Sequence, residues 1–192
     1  MNAPFEKAQD NAFLAETHEV FNQPPALENY NLFRQDAALR EAVRREGADW
    51  AHDELDVHGA IAGRSDVIDL GFKANANKPE FHSHDRFGHR IDEVRFHPAY
   101  HELMTMSLEG GLHSSPWTDP GRGANVARAA RLYMQSQVEP AHGCPVTMTF
   151  ACVPTLRKQP DLAEYWLPKI LNRHYDPRNV PDGEKQAVTI GM

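Results

Sequence analysis

Apolar residues recur at helical intervals in two stretches of the first half of the chain, between residues 36 and 72. In each stretch the apolar positions are spaced so that they share one face of a helix. Asp36 and Ser65 can cap these two helices, because their side chains accept hydrogen bonds from the free amides of a first turn. The predicted inward positions are Leu39, Ala42, Val43 and Trp50 in the first helix, and Val67, Ile68 and Phe72 in the second.

Four further helices are predicted in the second half of the chain. Their boundaries come from Pro at a first turn and from Gly or Pro at the ends. Pro168 lies inside the last of them and is expected to kink or shorten it. The third contains no charged residue, which predicts burial on all sides. The four segments are Pro98–Gly110, Gly123–Pro140, Cys144–Leu156 and Leu162–Leu171.

Three stretches lack helical periodicity. Residues 1–30 are predicted to form an irregular arm, with Phe21 as an anchor, because prolines favour extended backbone before them. Residues 73–96 are rich in Asn, Pro, His, Gly and charges and predict a long loop, which in a compact domain binds something or forms an interface. Residues 186–190 resemble a strand that has no partner strand in this sequence.

The predicted architecture is therefore mainly α-helical. A helical domain covers residues 31–180, and residues 186–192 form the first strand of a truncated β domain. The chain is expected to stop at this domain boundary.

Composition restricts the function of this chain. Its 192 residues are 41% apolar and 24% charged, as in ordinary globular proteins. A formal charge of -7 argues against strong nucleic-acid binding, which needs clustered Lys and Arg. Cys144 and Cys152 are expected to be small buried hydrophobes. Neither a signal peptide nor an 18-residue apolar window is present, so the cytoplasm is the expected compartment.

The eleven histidines invite a metal-site interpretation. His82 and His84 lie in the predicted loop, and His97 and His101 are four positions apart at a helix start. A zinc site needs three or four ligands, and no HExxH pattern is present. We therefore expect no metal, with His97 capping its helix and His101 packing locally.

No catalytic signature is evident either. The sequence lacks Gly-x-Ser-x-Gly, GxGxxG and phosphate-loop motifs, and no general acid or base can be nominated. The basic run at residues 86–90 is interleaved with acids and is expected to be solvated or to face another subunit. Arg128 and Arg131 are expected to pair with acids on a helix flank.

The charge-free helix Cys144–Leu156 is the most suggestive feature. It combines small residues, Thr hydroxyls and Met, which suits the wall of an apolar ligand pocket. The same composition suits plain core equally well, and the residues alone leave both readings open.

Several runs together resemble the AidB-type adaptive-response proteins of the acyl-CoA dehydrogenase superfamily. The matching runs are VFNQP at 20–24, RFHPAYH at 95–101, ARAAR at 127–131 and CPVTMTFA at 144–151. The resemblance implies an N-terminal helical domain, a central β domain and a C-terminal bundle. It also implies FAD between the last two parts, a homotetramer, and duplex DNA bound through the C-terminal region.

The resemblance also implies roles for individual residues. Met192 aligns with the start of the family's flavin-contacting segment, and the Thr-Glu and Gly-Gly-Ser-Asp residues expected next are missing. The charge-free helix corresponds to one that encloses the acyl cavity, with Met148, Thr149 and Ala151 as its pocket wall. No catalytic residue is expected in this chain, since the family's base lies in the C-terminal part.

Two functions follow from these expectations. In the first, the chain is the N-terminal domain of an FAD-dependent acyl-CoA-dehydrogenase-like oxidoreductase linked to protection of DNA from alkylation, and is without catalysis on its own. In the second, it is a truncated helical interaction module that assembles only with intact flavoprotein subunits.

Overall fold

The computed structural model of the protein describes residues 21–191. Residues 1–20, most of the predicted arm, lie outside the described part of the chain, and so does Met192. Nine helices and one hairpin occupy the described residues. They are α1 (Leu32–Gln35), α2 (Ala37–Arg45), α3 (His52–Ala62), α4 (Ser65–Ala76), β1 (Glu80–His84), β2 (Arg90–Arg95), α5 (Pro98–Glu109), α6 (Ser115–Thr118), α7 (Ala124–Val138), α8 (Gly143–Leu156) and α9 (Pro160–Ile170).

The main core lies where α1, α3 and α7 meet. Phe33, Leu55 and Met134 from these three helices are completely buried there. A second, smaller cluster joins α5 to α8 through Met104, Leu108, Leu112 and Val146. Helix α5 contributes to both clusters, so it connects the two halves of the domain.

Side chains of the N-terminal segment cap α1 and α4. The Asn31 carboxamide oxygen accepts hydrogen bonds from the amides of Phe33 and Arg34 at 3.0 and 2.9 Å. The predicted cap of α4 was wrong by one position. Ser65 is the first helical residue, and its amide donates to the Asn29 side chain at 3.0 Å. A cap from residue 29 could not be read from the sequence around residue 65.

Two glycines with left-handed backbone pack against each other where α2 ends and α7 begins. Gly47 has φ +83° and Gly123 has φ +80°, a region that glycine enters without steric cost. A Cβ on Gly123 would collide with the Gly47 carbonyl oxygen. The predicted start of α7 at Gly123 is confirmed, and this close approach explains it.

The first predicted helix was correct at its start and wrong at its end. The Asp36 carboxylate caps α2 by accepting from the Leu39 amide at 2.8 Å, as expected. The chain then turns at Gly47, so Trp50 does not share the inward face and is 58% exposed. Its indole instead donates to the Arg122 carbonyl at 3.0 Å. Phe72 was likewise predicted to face inward and is exposed.

The predicted loop over residues 73–96 was wrong. Helix α4 continues to Ala76, and an antiparallel hairpin follows in which Phe81 pairs with Val94. Asp85 shapes the turn, because its carboxylate accepts from the amides of Phe87 and His89 at 2.8 and 2.9 Å. The hairpin is mostly exposed on both faces, so its strands lack the apolar–polar alternation that identifies a half-buried strand.

The part of the predicted arm that the structure describes, residues 21–30, contains no helix or strand, as predicted. Phe21 is 89% exposed, so the anchoring contact expected of it is not made within the described residues. Residues 187–191 form no strand ladder within residues 21–191. The β domain that they were predicted to open stays a prediction.

Candidate active-site wall

Helix α8 is confirmed between Gly143 and Leu156, but its predicted burial on all sides was wrong. Its inner face consists of Val146, Thr149 and Val153, which are all completely buried. Its outer face is exposed to solvent although it carries no charge. This outer face consists of Cys144, Thr147, Ala151, Pro154 and Thr155.

A buried polar network fixes the start of α8. The Glu139 carboxylate accepts from the backbone amides of Ala141 and His142 at 2.7 and 2.8 Å. It also bonds the Nδ1 atom of His142 at 2.8 Å, and the Nε2 atom of His142 lies 2.9 Å from the Ser107 hydroxyl. A carboxylate only accepts, so Nδ1 carries the proton and the Ser107 hydroxyl donates to Nε2.

The order of groups in this network, Ser–His–Glu, is the order of a hydrolase triad. Ser107, His142 and Glu139 are nevertheless only 0%, 1% and 2% exposed. No substrate reaches a hydroxyl that is completely enclosed by its own helices. The network therefore joins α5 to the junction of α7 and α8, and it fixes the direction in which α8 leaves that junction.

Burial and hydrogen bonding shift the two titrating groups of the network. Burial lowers the pKa of His142 below its ordinary value, and the neighbouring Glu139 opposes this only in part. Burial alone would raise the pKa of Glu139, but the hydrogen bonds from His142 and the Ala141 amide outweigh it and lower that pKa. The pair is thus a carboxylate beside a neutral imidazole at neutral pH. Sequence reasoning missed this network, because Ser107 lies 35 positions from His142.

The prediction that both arginines of α7 pair with acids was right for one of them. Arg131 forms an ion pair with Glu54, as expected. Arg128 has no acidic partner among the described residues. Its Nε atom donates to the Leu112 carbonyl at 2.6 Å, and its guanidinium lies 3.7 Å from the ring centroid of Phe150 on α8. Stacking on an aromatic face suits a desolvated guanidinium.

The chain that follows α9 returns to the helical body, and three hydrogen bonds hold residues 186–190 there. The Asn172 side chain donates to the Gln186 carbonyl at 3.0 Å. The Val188 amide donates to the Lys169 carbonyl at 3.3 Å. The Ile190 amide donates to the Thr149 hydroxyl oxygen at 2.8 Å. Residues 186–190 therefore lie along α9 and the inner face of α8.

A cavity of about 630 Å³ opens beside this segment, between β2, the start of α5 and residues 175–191. Phe96 stacks on Tyr100 at 4.2 Å between ring centroids, and His101 bonds the Tyr175 hydroxyl at 2.9 Å. Both pairs line the cavity, and so does Gly191. Burial raises the pKa of Tyr175, so its phenol stays protonated.

The three predicted pocket-wall residues occupy different environments. Thr149 is completely buried and bonded to Ile190, Met148 is half-buried, and Ala151 is exposed on the outer face. The structure therefore places only Ala151 fully on the open side of α8. The predicted flavin contact, Met192, lies outside the described residues.

The histidines of the predicted metal-site candidate have other partners. The His97 ring accepts from the Ala99 amide at 3.2 Å and caps α5, as expected. His101 packs edge-on against Phe96 and Tyr100, as expected, and it also bonds Tyr175. His82 lies 3.3 Å from Glu80, and His84 bonds Ser83. Over residues 21–191, no group of three or more potential ligands is placed to hold a metal ion.

The basic run at residues 86–90 lies at the hairpin tip and is solvated. Arg90 pairs with Asp92 and His89 with Asp85, which agrees with the expected interleaving of charges. Neither cysteine is in a disulfide, and Cys144 is exposed, contrary to its predicted burial. No helix among residues 21–191 is long and apolar enough to cross a membrane.

Comparison with known proteins gives consistent results. Residues 22–177 match the family described as the adaptive response protein AidB N-terminal domain. The chain is 45% identical over 179 residues to a protein of Escherichia coli (strain K12) with the provisional name acyl-CoA dehydrogenase AidB. That alignment covers 92% of this chain and 33% of the relative, so the chain spans about a third of the length of the relative.

Two solved structures share the fold. The Caenorhabditis elegans protein ACDH-11, crystallised in complex with C11-CoA, superposes with a TM-score of 0.74 at 22% identity and covers 97% of this chain. Bd2924 in its apo form superposes with a TM-score of 0.72 at 25% identity and covers 81% of this chain. This chain covers 31% and 32% of those two proteins. The predicted mainly helical fold of acyl-CoA dehydrogenase N-terminal domains is confirmed.

Proposed function

Because the chain belongs to the AidB N-terminal domain family of acyl-CoA-dehydrogenase-like proteins, we propose that it forms one wall of the active site of an FAD-dependent oxidoreductase. The wall is the outer face of α8. One observation carries the proposal: this helix face bears no charge and yet is exposed. Exposed surface of low polarity can mark a contact site, so this face suits a site completed by another domain.

The residues of this chain fit one flank of a flavin rather than the whole cofactor. An extended segment beside a charge-free helix suits the edge of a planar ring system, because free backbone amides can bond its polar atoms. The sequence has no glycine-rich loop for the phosphates of a dinucleotide. Bound FAD would supply the hydride acceptor, and this chain would shape the apolar side of the substrate site.

On its own the chain would then neither hold FAD firmly nor turn over an acyl-CoA thioester. A second candidate function is an interaction module that assembles with intact subunits, into a tetramer in the complete protein. The apolar residues exposed on α9 favour this alternative, since Leu162 and Tyr165 are both about half exposed. The two candidate functions differ in whether the outer face of α8 contacts a ligand.

Protection of DNA from alkylation is proposed for the whole protein, with duplex DNA bound outside this chain. The formal charge of -7 supports this division, and so does the pairing of Arg34, Arg64, Arg90 and Arg178 with acids. Phosphate binding needs a clustered excess of free positive charge. The cytoplasm is its proposed compartment, where two unpaired cysteines are expected.

A chimera tests the proposal. This chain would replace the aligned first third of E. coli AidB, and the native E. coli protein would serve as the positive control. We expect the purified chimera to carry FAD and the 192-residue chain alone to be colourless. Placing a charge on the outer face with Ala151→Asp should then weaken reduction of the flavin by an acyl-CoA thioester, whereas Glu164→Gln on α9 should not.

Two results would contradict the proposal. One is a folded chimera without flavin beside a flavin-loaded native control. The other is an Ala151→Asp chimera that is reduced as fast as the parent, which would favour the interaction module.

A further inference from the structure

Thr149 was predicted to line a pocket, but its surroundings indicate a different role. The side chain is completely buried on the inner face of α8. Its hydroxyl donates to the Pro145 carbonyl at 2.7 Å and accepts from the Ile190 amide at 2.8 Å. The hydroxyl thus uses its one proton and one of its lone pairs, so it is satisfied as donor and as acceptor.

The bond to Pro145 makes the Thr149 oxygen a fixed point. A threonine that bonds the carbonyl four residues earlier has its first side-chain torsion set by the helix. The helix start is itself held by Glu139 and His142. The position of the acceptor for Ile190 is therefore determined by the helical body.

The position of the segment at residues 186–190 depends on the fixed Thr149 oxygen. The amides of Val188 and Ile190 both donate to the helical body, to Lys169 and Thr149 respectively. Successive amides of an extended chain point to opposite sides. We therefore expect the amides of residues 189 and 191 to face away from the helices, where another strand or a ligand could accept them.

We infer that Thr149 is a positioning residue, whose hydroxyl sets where the chain from Ile190 onward enters the flavin site. The inference rests on the proposed function, in which this segment flanks the edge of the flavin. Thr149 touches no reacting atom in this role.

Amide hydrogen exchange on the 192-residue chain tests the anchoring step without any flavin. Thr149→Val keeps the shape of the side chain and removes the acceptor, so we expect the Ile190 amide to exchange roughly tenfold faster. Thr149→Ser retains the hydroxyl and should exchange as the parent does. Thr147→Val makes the same change on the exposed face of the same helix and should have no effect.

The Val188 amide distinguishes loss of one bond from unfolding. It should keep its parent exchange rate in Thr149→Val, because its acceptor is the Lys169 carbonyl. Unchanged exchange at Ile190 in Thr149→Val would overturn the inference.

Flavin affinity in the chimera tests the positioning step. We expect Thr149→Val to weaken FAD binding about tenfold, and Thr149→Ser to restore it. Faster exchange at Ile190 with unchanged FAD affinity would overturn the positioning role while leaving the proposed function intact. A chimera that binds no FAD even with Thr149 in place would remove the proposed function, and this inference with it, whatever the exchange rates show.

Discussion

Helices α7 and α8 are neighbours of similar length, and their burial is the opposite of what their composition suggests. Helix α7 carries two arginines and a glutamine on its buried side, and eight of its fifteen residues are buried. Helix α8 has no charged residue, and only three of its fourteen residues are buried. A charge-free helix is thus not always a core helix. The difference fits the proposed function, in which α7 completes its packing within the described residues and another domain would cover α8.

Acid is expected to change the stability of the chain more than any substitution below. The reason is that the buried arginines of α7 have histidines beside them. Burial and the charge of Arg131 lower the pKa of His58 from 6.5 to about 4. Burial also lowers the pKa of His113 to about 4, with the charges of Arg173 and Arg128 contributing. Both side chains are therefore neutral in the folded protein at pH 7.

These two pKa shifts determine whether acid stabilises or destabilises the folded chain. Above pH 6.5 the histidines are neutral in both states, and their full contribution to stability is present. As the pH falls from 6.5 toward 4, the unfolded chain binds protons that the folded chain does not, so stability is lost. We expect a loss of about 3 kcal/mol for each histidine by pH 4. Urea unfolding at several pH values would measure it, and a flat profile in that range would contradict the assignment.

The next largest change in stability is expected from truncating one methionine on each helix. Met134 on α7 is completely buried, so Met134→Ala should destabilise the chain by about 2–5 kcal/mol through lost contacts and a cavity. Met148 on α8 is half-buried, and the same change there should cost about 1 kcal/mol or less. Thermal and urea unfolding would compare the two. Equal losses would mean that α8 is packed as fully as α7.

Removing the unpaired side-chain amide of Gln135 from α7 should have a smaller effect on stability. This effect should be a gain rather than a loss. Gln135 is 1% exposed, and neither its oxygen nor its nitrogen has a hydrogen-bond partner within the described residues. Gln135→Met has similar length and no amide to desolvate, so we expect a gain of about 1 kcal/mol. A loss of stability on urea unfolding would instead indicate that ordered water satisfies the amide.

The smallest change in stability is expected for a substitution on the outer face of α8. Ala151→Ser should change the free energy of unfolding of the isolated chain by less than about 0.5 kcal/mol, because the position is solvated. Urea unfolding of this variant beside the parent would check it. A larger loss would show that this face is already covered in the chain alone, for example by self-association, which dilution would reveal.

The sequence predicted the helices that have clear ends. Helix α5 starts at Pro98, and α7 lies between Gly123 and Pro140, as their cap and breaker residues indicate. Helix α3 was missed, because its inward positions include the small residues Gly59 and Ala62, which give little hydrophobic periodicity. The hairpin was missed because both of its faces are largely polar and exposed.

The candidate site was only partly readable from the sequence. The limits of α8 follow from its charge-free run, but which of its faces is open depends on helices far away in the chain. The Ser107–His142–Glu139 network has one local signal, a carboxylate three residues before a histidine, and this spacing is common. Thr149 was singled out from its family resemblance as a pocket residue, and its bond to Ile190 depends on how the chain returns after α9.

The bond between Thr149 and Ile190 joins residues 41 positions apart, and this separation has a consequence during synthesis. At about 5–20 residues per second, a ribosome adds residue 190 roughly 2–8 seconds after residue 149. Helices form within microseconds. The helical body can therefore be assembled before Ile190 leaves the ribosome, and it offers the emerging segment a preformed docking point.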